Sequence, residues 1–426
     1  MNGAFRDIID SLRNGTVPSQ GTENIAVGIE DELSEIAEQL DKVQTAKSSF
    51  KFIIGDYGSG KTFFSTAVRE MAYEKKFVVS SVVISQEASL HKFEELYRKI
   101  MDGIRIVDNR KIPAFSLILE EWLLNIEEKV IEIEGIDPDE NREKFEIEMG
   151  KRIDEELQVI GSIALSFAKA VKAFYRGKNS GDNVLSQGAV AWLKGENVRP
   201  ELKKQLGITG TVTRTNSFEF FRALLQMIKS AGYQGLVVIL DEVETVQKYR
   251  TADMRNAAYE NLRFFIDESD KSNFPNCFFL YTGTNDLMES EKGFKALEPL
   301  YQRIKVEKNN TFKNLRQPVM FLDGFNKEKL KEVASKVRKI HGEIYSWMPN
   351  EKVSDKFIDN LIIQMTNGFG GELNISPRGF LRTFVDVLDK SQMYDDYKPE
   401  EQFVFNEEVR IMVEDVENST AHIVNF

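Results

Sequence analysis

The sequence predicts an α/β protein in which a parallel sheet carries a phosphate-binding loop, and three stretches make that prediction. The run "FKFII" leads into "GDYGSGKTFF" at residues 55–64; "GLVVILDE" ends on paired acids at 241 and 242; "CFFLYTGTND" ends on small polar residues. Apolar runs of this length, bounded by polar residues and separated by helical patterns, are strands buried on both faces. Strands alternating with helices build a parallel sheet.

The elements follow in order. Residues 1–24 form an N-terminal helix, "FRDIIDSLRNG", ended by Gly15, and a turn-rich linker. In "IAVGIEDELSEIAEQLDKVQ", Leu33, Ile36, Leu40 and Val43 recur at helical spacing. The strand "FKFII" then feeds the glycine loop, and "KTFFSTAVREMAYEKK" makes the helix behind it. A buried strand at 77–84 and the helix "ASLHKFEELYRKIMDGI" come next. From 105 to 215 the chain is helical and charged. Lys61 and Asp241 are 180 residues apart, too far for an ordinary crossover, so this stretch is expected to be a helical insertion in a nucleotide-binding core of residues 25–325. The helix "AYENLRFFIDES" separates the strands "GLVVILDE" and "CFFLYTGTND". A last strand, "PVMFLDGF", precedes three helices at 326–395 that read as a small all-helical unit, with a tail at 396–426.

The chemistry lies at the strand ends. Gly55, Gly60, Lys61 and Thr62 have the G-x-x-x-x-G-K-[ST] spacing. In such a loop successive backbone N–H groups turn inward around an anion, which glycines allow without Cβ clashes. Asp56, Tyr57, Gly58 and Ser59 complete the cradle, and Phe63 follows it. Lys61 is placed to reach the β- and γ-phosphates, the Thr62 hydroxyl to ligate magnesium, and the helix start adds its positive dipole end. ATP and Mg²⁺ are the expected ligands. Asp241 would hold the metal through water and Glu242 would orient and deprotonate the attacking water, although acids after strands also serve as helix caps. Thr282 is the candidate for a γ-phosphate or water-positioning group; a plain strand-to-turn junction is the alternative. Arg303 in "LEPLYQRIK" and Arg378 in "SPRGFLR" are candidates to stabilise charge on a transferring phosphoryl group, with Arg255, Arg263 and Arg382 as rivals.

Composition narrows the partners. A net charge of −12 argues against a surface that attracts nucleic acid everywhere and leaves room only for a local basic patch. Three histidines and the single cysteine, Cys277, are scattered, so no zinc-type cluster is legible. No apolar run approaches the ~20 residues of a membrane helix, and the N-terminus has no signal-peptide pattern, so a cytoplasmic protein with no membrane partner is expected.

Taken in order, these stretches resemble an AAA+ P-loop ATPase of the group containing the origin-recognition ATPases and the signalling STAND proteins. "VGIEDELSEI" resembles the family's box before the phosphate loop, with Gly28 and Glu30 at the adenine-side entry. Asp241 and Glu242 match Walker B, Thr282 falls at sensor 1, Arg303 near the box that supplies an arginine finger, and Arg378 at sensor 2. "SLRNGTVP", "KFIIGDYGSGKTFF", "LEPLYQRI" and "SPRGFLR" are similar to the BREX-associated ATP-binding proteins of the BrxD type, found in bacterial anti-phage systems. The resemblance implies a three-layer α/β core on a five-stranded parallel sheet, with the sensor strand between the two Walker strands and a helical lid over the nucleotide. It also implies homo-oligomers in which one protomer's arginine meets the next protomer's site, and partners among other defence proteins. No winged-helix pattern follows the lid.

The expected function is an ATP-hydrolysing switch in an anti-phage complex. A DNA-engaged loader or translocase is one alternative, with "KAVKAFYRGK" at 169–178 its tempting stretch; an ATP-sensing scaffold with little turnover is the other.

Overall fold

A computed structural model of the chain describes residues 2–307, 312–368 and 377–404. Six strands form one sheet: β1 (Ser48–Ile54), β2 (Val78–Val83), β3 (Ile104–Arg105), β4 (Leu236–Asp241), β5 (Cys277–Gly283) and β6 (Val319–Phe321). Their spatial order is β3-β2-β4-β5-β1-β6. Five run parallel, and β5 lies between β4 and β1, so the strand ending at Thr282 separates the strands ending at Asp241 and at the glycine loop.

The sixth strand corrects the five expected. β3 is antiparallel to β2 over two residues, with Val79 opposite Arg105 and Ser80 opposite Ile104. The helix Phe93–Gly103 packs its last turn so tightly on β2 that a Cβ on Gly103 would lie 3.1 Å from the Ser81 carbonyl oxygen. The chain therefore leaves that helix already beside the sheet edge. A two-residue strand has no readable period.

Strand side chains alternate between two cores, as the pleat requires. On one face Ile53, Val79, Val237, Ile239, Phe278 and Leu280 pack with Val43 and Val68 from the helices Glu30–Gln44 and Lys61–Glu74. On the other, Phe52, Val238, Leu240, Phe279 and Tyr281 join helices that include Ser217–Ser230 and Ala252–Asp270. Helices on both faces of a parallel sheet give three layers.

The stretch expected as an insertion is helical, and it has no core of its own. Trp122, Ile153, Phe167 and Trp192 belong to the same apolar cluster as the second sheet face. Phe220, on the helix Ser217–Ser230, makes the bridge: the rings of Phe167 and Trp192 lie 5.8 and 5.4 Å from it.

A third cluster lies in the C-terminal helices Lys327–Tyr345, Asp355–Gly368 and Pro377–Met393. The N-terminal helix Asn2–Arg13 enters this cluster through Ile8, Ile9 and Leu12. The first turns of the chain are thus packed among its last helices.

Candidate functional site

The glycine loop leaves β1 at Ile54 and enters the helix at Lys61. Gly58 and Gly60 adopt φ of 78° and 94°, the left-handed region that side chains with a Cβ rarely occupy. Gly55 is needed for a different reason: a Cβ there would meet Ser59 and stand 3.1 Å from the Leu322 carbonyl oxygen. Its N–H donates to the Gly283 carbonyl oxygen at 3.1 Å, tying the loop to the end of β5. Asp56 accepts a hydrogen bond from the Asn285 side-chain amide at 2.7 Å, a second tie to the same edge.

Lys61 curls back over this loop. Its Nζ donates to the carbonyl oxygens of Gly55 at 2.8 Å and Asp56 at 3.0 Å. Burial lowers its pKa, and the carboxylate of Glu244, followed by that of Asp241, opposes the shift. Thr62 is exposed in the first turn, Ser59 is buried with its hydroxyl unpartnered, and Tyr57 stands 81% exposed with its ring 5.5 Å from the Lys61 ammonium. Phe63 is half-buried and packs with the cluster of the C-terminal helices.

Strand register brings the acids to this loop. Ile53 pairs with Thr282 and Ile54 with Gly283, while Leu240 pairs with Tyr281. Asp241 and Thr282 are consequently neighbours, and the Thr282 hydroxyl donates to the Asp241 carboxylate. The backbone N–H of Glu242 donates to both, at 3.0 Å to Asp241 and 3.3 Å to Thr282. Glu242 sits at φ 58°, a left-handed turn that swings its side chain off the strand axis. Burial, reinforced by Asp241, raises its pKa above the usual glutamate value.

The C-terminal helices add Arg378, which opens the helix Pro377–Met393. Burial lowers its pKa, and Asp241 is the charge that opposes the shift, which puts Arg378 within electrostatic reach of the carboxyl end of β4. Gly28 takes φ 66° at the start of the helix Glu30–Gln44, close enough to the C-terminal helices that a Cβ would strike the Lys329 side chain. The neighbouring Ala26 carbonyl oxygen accepts from Lys336 at 2.6 Å.

Arg303 stands apart from this assembly. It pairs with Asp267 at 3.1 Å, near the end of the helix that leads to the amino end of β5, the sheet edge opposite the loop. One residue escaped the sequence reading: Glu244 is 7% exposed and has a carboxylate oxygen with no hydrogen-bond donor. The signal available was a third acid in "LDEVE".

A loop whose glycines are required by positive φ at 58 and 60 and by close packing at 55, a desolvated lysine, an unpartnered buried hydroxyl at Ser59 and acids beside them fit a nucleotide phosphate tail with a divalent cation. Comparison with known families decides among its possible owners: a model described as BREX system ATP-binding protein BrxC/D matches residues 3–407. The chain belongs to this BrxC/D family. It is a BREX component of the ATP-binding kind, and the match spans nearly the whole chain. No curated protein matches the sequence. Among the described residues no helix is long and apolar enough to cross a membrane.

Proposed function

We propose that this BrxC/D protein is a magnesium-dependent ATPase whose hydrolysis switches the lid, and with it the contacts to other BREX proteins. The observation that carries the reading is convergence: the Thr282 hydroxyl donates to Asp241 across adjacent strands, and Lys61 from the loop and Arg378 from the C-terminal helices are both within electrostatic reach of that same carboxylate. In this reading the loop N–H groups and Lys61 bind the phosphates, and Thr62 and Asp241 hold the metal. Magnesium would neutralise phosphate charge as the terminal bond breaks. Glu242 orients the attacking water and takes its proton, a task suited to a carboxyl whose burial raises its basicity. Thr282 positions the same water, and Arg378 stabilises the developing charge.

The lid follows the nucleotide because Arg378 belongs to it. Contacts made only with the triphosphate favour the closed arrangement, and cleavage removes them. Two variants test this. Lys61→Ala should weaken ATP binding by about 100-fold or more, the size expected for a lost charge-assisted phosphate contact in a desolvated site. Glu242→Gln should keep ATP and lower turnover by about 100-fold or more. Wild-type turnover in Glu242→Gln would remove Glu242 from the chemistry.

A further inference from the structure

Glu244 lies on the short 3-10 turn Val243–Lys248 immediately after Glu242. It is 7% exposed, and its Oε2 is buried with no donor. That oxygen faces the end of β5, since a Cβ built on Gly283 would be 3.6 Å from it, and Gly283 is the residue whose carbonyl oxygen accepts the Gly55 N–H. Among the carboxylates acting on Lys61, Glu244 comes ahead of Asp241, Asp56 and Glu242. The carboxylate therefore lies at the end of β5, beside the junction that holds the first glycine of the loop.

An ionisable oxygen buried without a donor costs free energy unless something arrives to satisfy it. Lys61 gives two of its three N–H donors to loop carbonyl oxygens, and in the ATPase reading the third goes to the phosphates. Phosphate oxygens only accept, so beside Glu244 they would add repulsion. What satisfies a carboxylate next to a phosphate is a donor held between them, and a water polarised by a divalent cation is the strongest such donor. Building on the ATPase reading above, we infer that Glu244 is a positioning residue whose carboxylate accepts a hydrogen bond from a magnesium-bound water of the nucleotide complex. Its work is distinct from that of Glu242: it sets how tightly the metal is held with the nucleotide.

Electrostatics gives the test opposite signs with and without metal. Glu244→Gln removes one negative charge, so in EDTA it should bind a fluorescent ATP analogue at least as tightly as wild type. With magnesium titrated in, its half-saturating concentration should rise about 10-fold, the size expected when an outer partner of a metal site is lost. Glu244→Ala should behave alike, and circular dichroism melts establish that both variants are folded. An unchanged magnesium titration overturns the inference; if kcat alone falls, the contact belongs to the attacking water instead. Equal weakening with and without metal also overturns it, because that is the mark of a merely structural residue. Wild type failing to bind ATP at any magnesium concentration would instead sink the nucleotide reading on which the inference rests.

Discussion

Glu242 carries its carboxylate on a backbone that ordinary residues avoid. At φ 58° its Cβ crowds the carbonyl oxygen, at a cost of about 1 kcal/mol relative to glycine. Hydrogen bonds from its N–H to Asp241 and Thr282 hold the conformation in place. The strain aims the acid away from β4, and function and stability therefore pull in opposite directions at one residue. Glu242→Gly, compared with Glu242→Gln so that the loss of charge is common to both, should be more stable by up to about 1 kcal/mol, a rise of roughly 1–2 °C in Tm for a chain of this size. Both variants should be inactive. A Glu242→Gly protein that melts below Glu242→Gln would show that the turn carries no strain. Glycines at 58 and 60 have φ in the same region, and there a Cβ is simply absent.

The N-terminal helix is fastened to the C-terminal helices by a chain of side chains. Arg13 donates to Asp389 from Nε at 2.7 Å and Nη2 at 2.9 Å. Asp389 is also 3.0 Å from Nε2 of the fully buried His341, whose Nδ1 accepts from the Trp347 indole at 2.9 Å. The ring is thus held from both sides, by the Trp347 indole at Nδ1 and by the Asp389 carboxylate at Nε2. Burial pushes the Asp389 carboxyl up, but hydrogen bonds from His341 and Arg13 outweigh it and bring the pKa from 3.8 to about 2. Because the folded value is the lower one, the stabilisation is complete above pH ~4 and is lost as pH falls towards 2. Asp389→Asn should melt earlier than wild type at pH 7, with the gap closing between pH 4 and 2; a gap unchanged by pH would mean that Asp389 acts through packing alone. Nothing in "FRDIIDSLRNG" foretold this partner, since an amphipathic helix declares an apolar face without saying what covers it. The same distinction separates what was legible from what was not. The glycine loop and the strand ending in Asp241 and Glu242 were readable because each is a contiguous pattern with local causes. The Asp56–Asn285 tie spans 229 positions, the shared core of the 105–215 helices depends on Phe220, and the burial of Glu244 depends on how one 3-10 turn tucks against the end of β5. Such facts belong to tertiary packing and leave no local period.

At the scale of the whole molecule, Arg303 poses the question of assembly. A finger that serves its own site would have to face Lys61, yet Arg303 turns to Asp267 towards the other sheet edge and its side chain is 55% exposed. A surface ion pair of this kind is worth about 0–1 kcal/mol, so releasing it to a neighbouring nucleotide costs little. One protomer would then be incomplete without the next, joined head to tail through a heterologous contact. Mixing two inactive proteins isolates this arrangement from every other role of the arginine. Arg303→Ala retains a sound phosphate loop but offers no finger, and Lys61→Ala offers a finger but holds ATP too weakly to turn it over at the concentrations used. If fingers act in trans, a mixture should hydrolyse ATP faster than the sum of its components, with the gain rising with protein concentration and accompanied by ATP-dependent growth of the mass in solution. An additive mixture, with the mass of a single chain at every ATP concentration, would place catalysis within one protomer and leave Arg303 as the surface partner of Asp267.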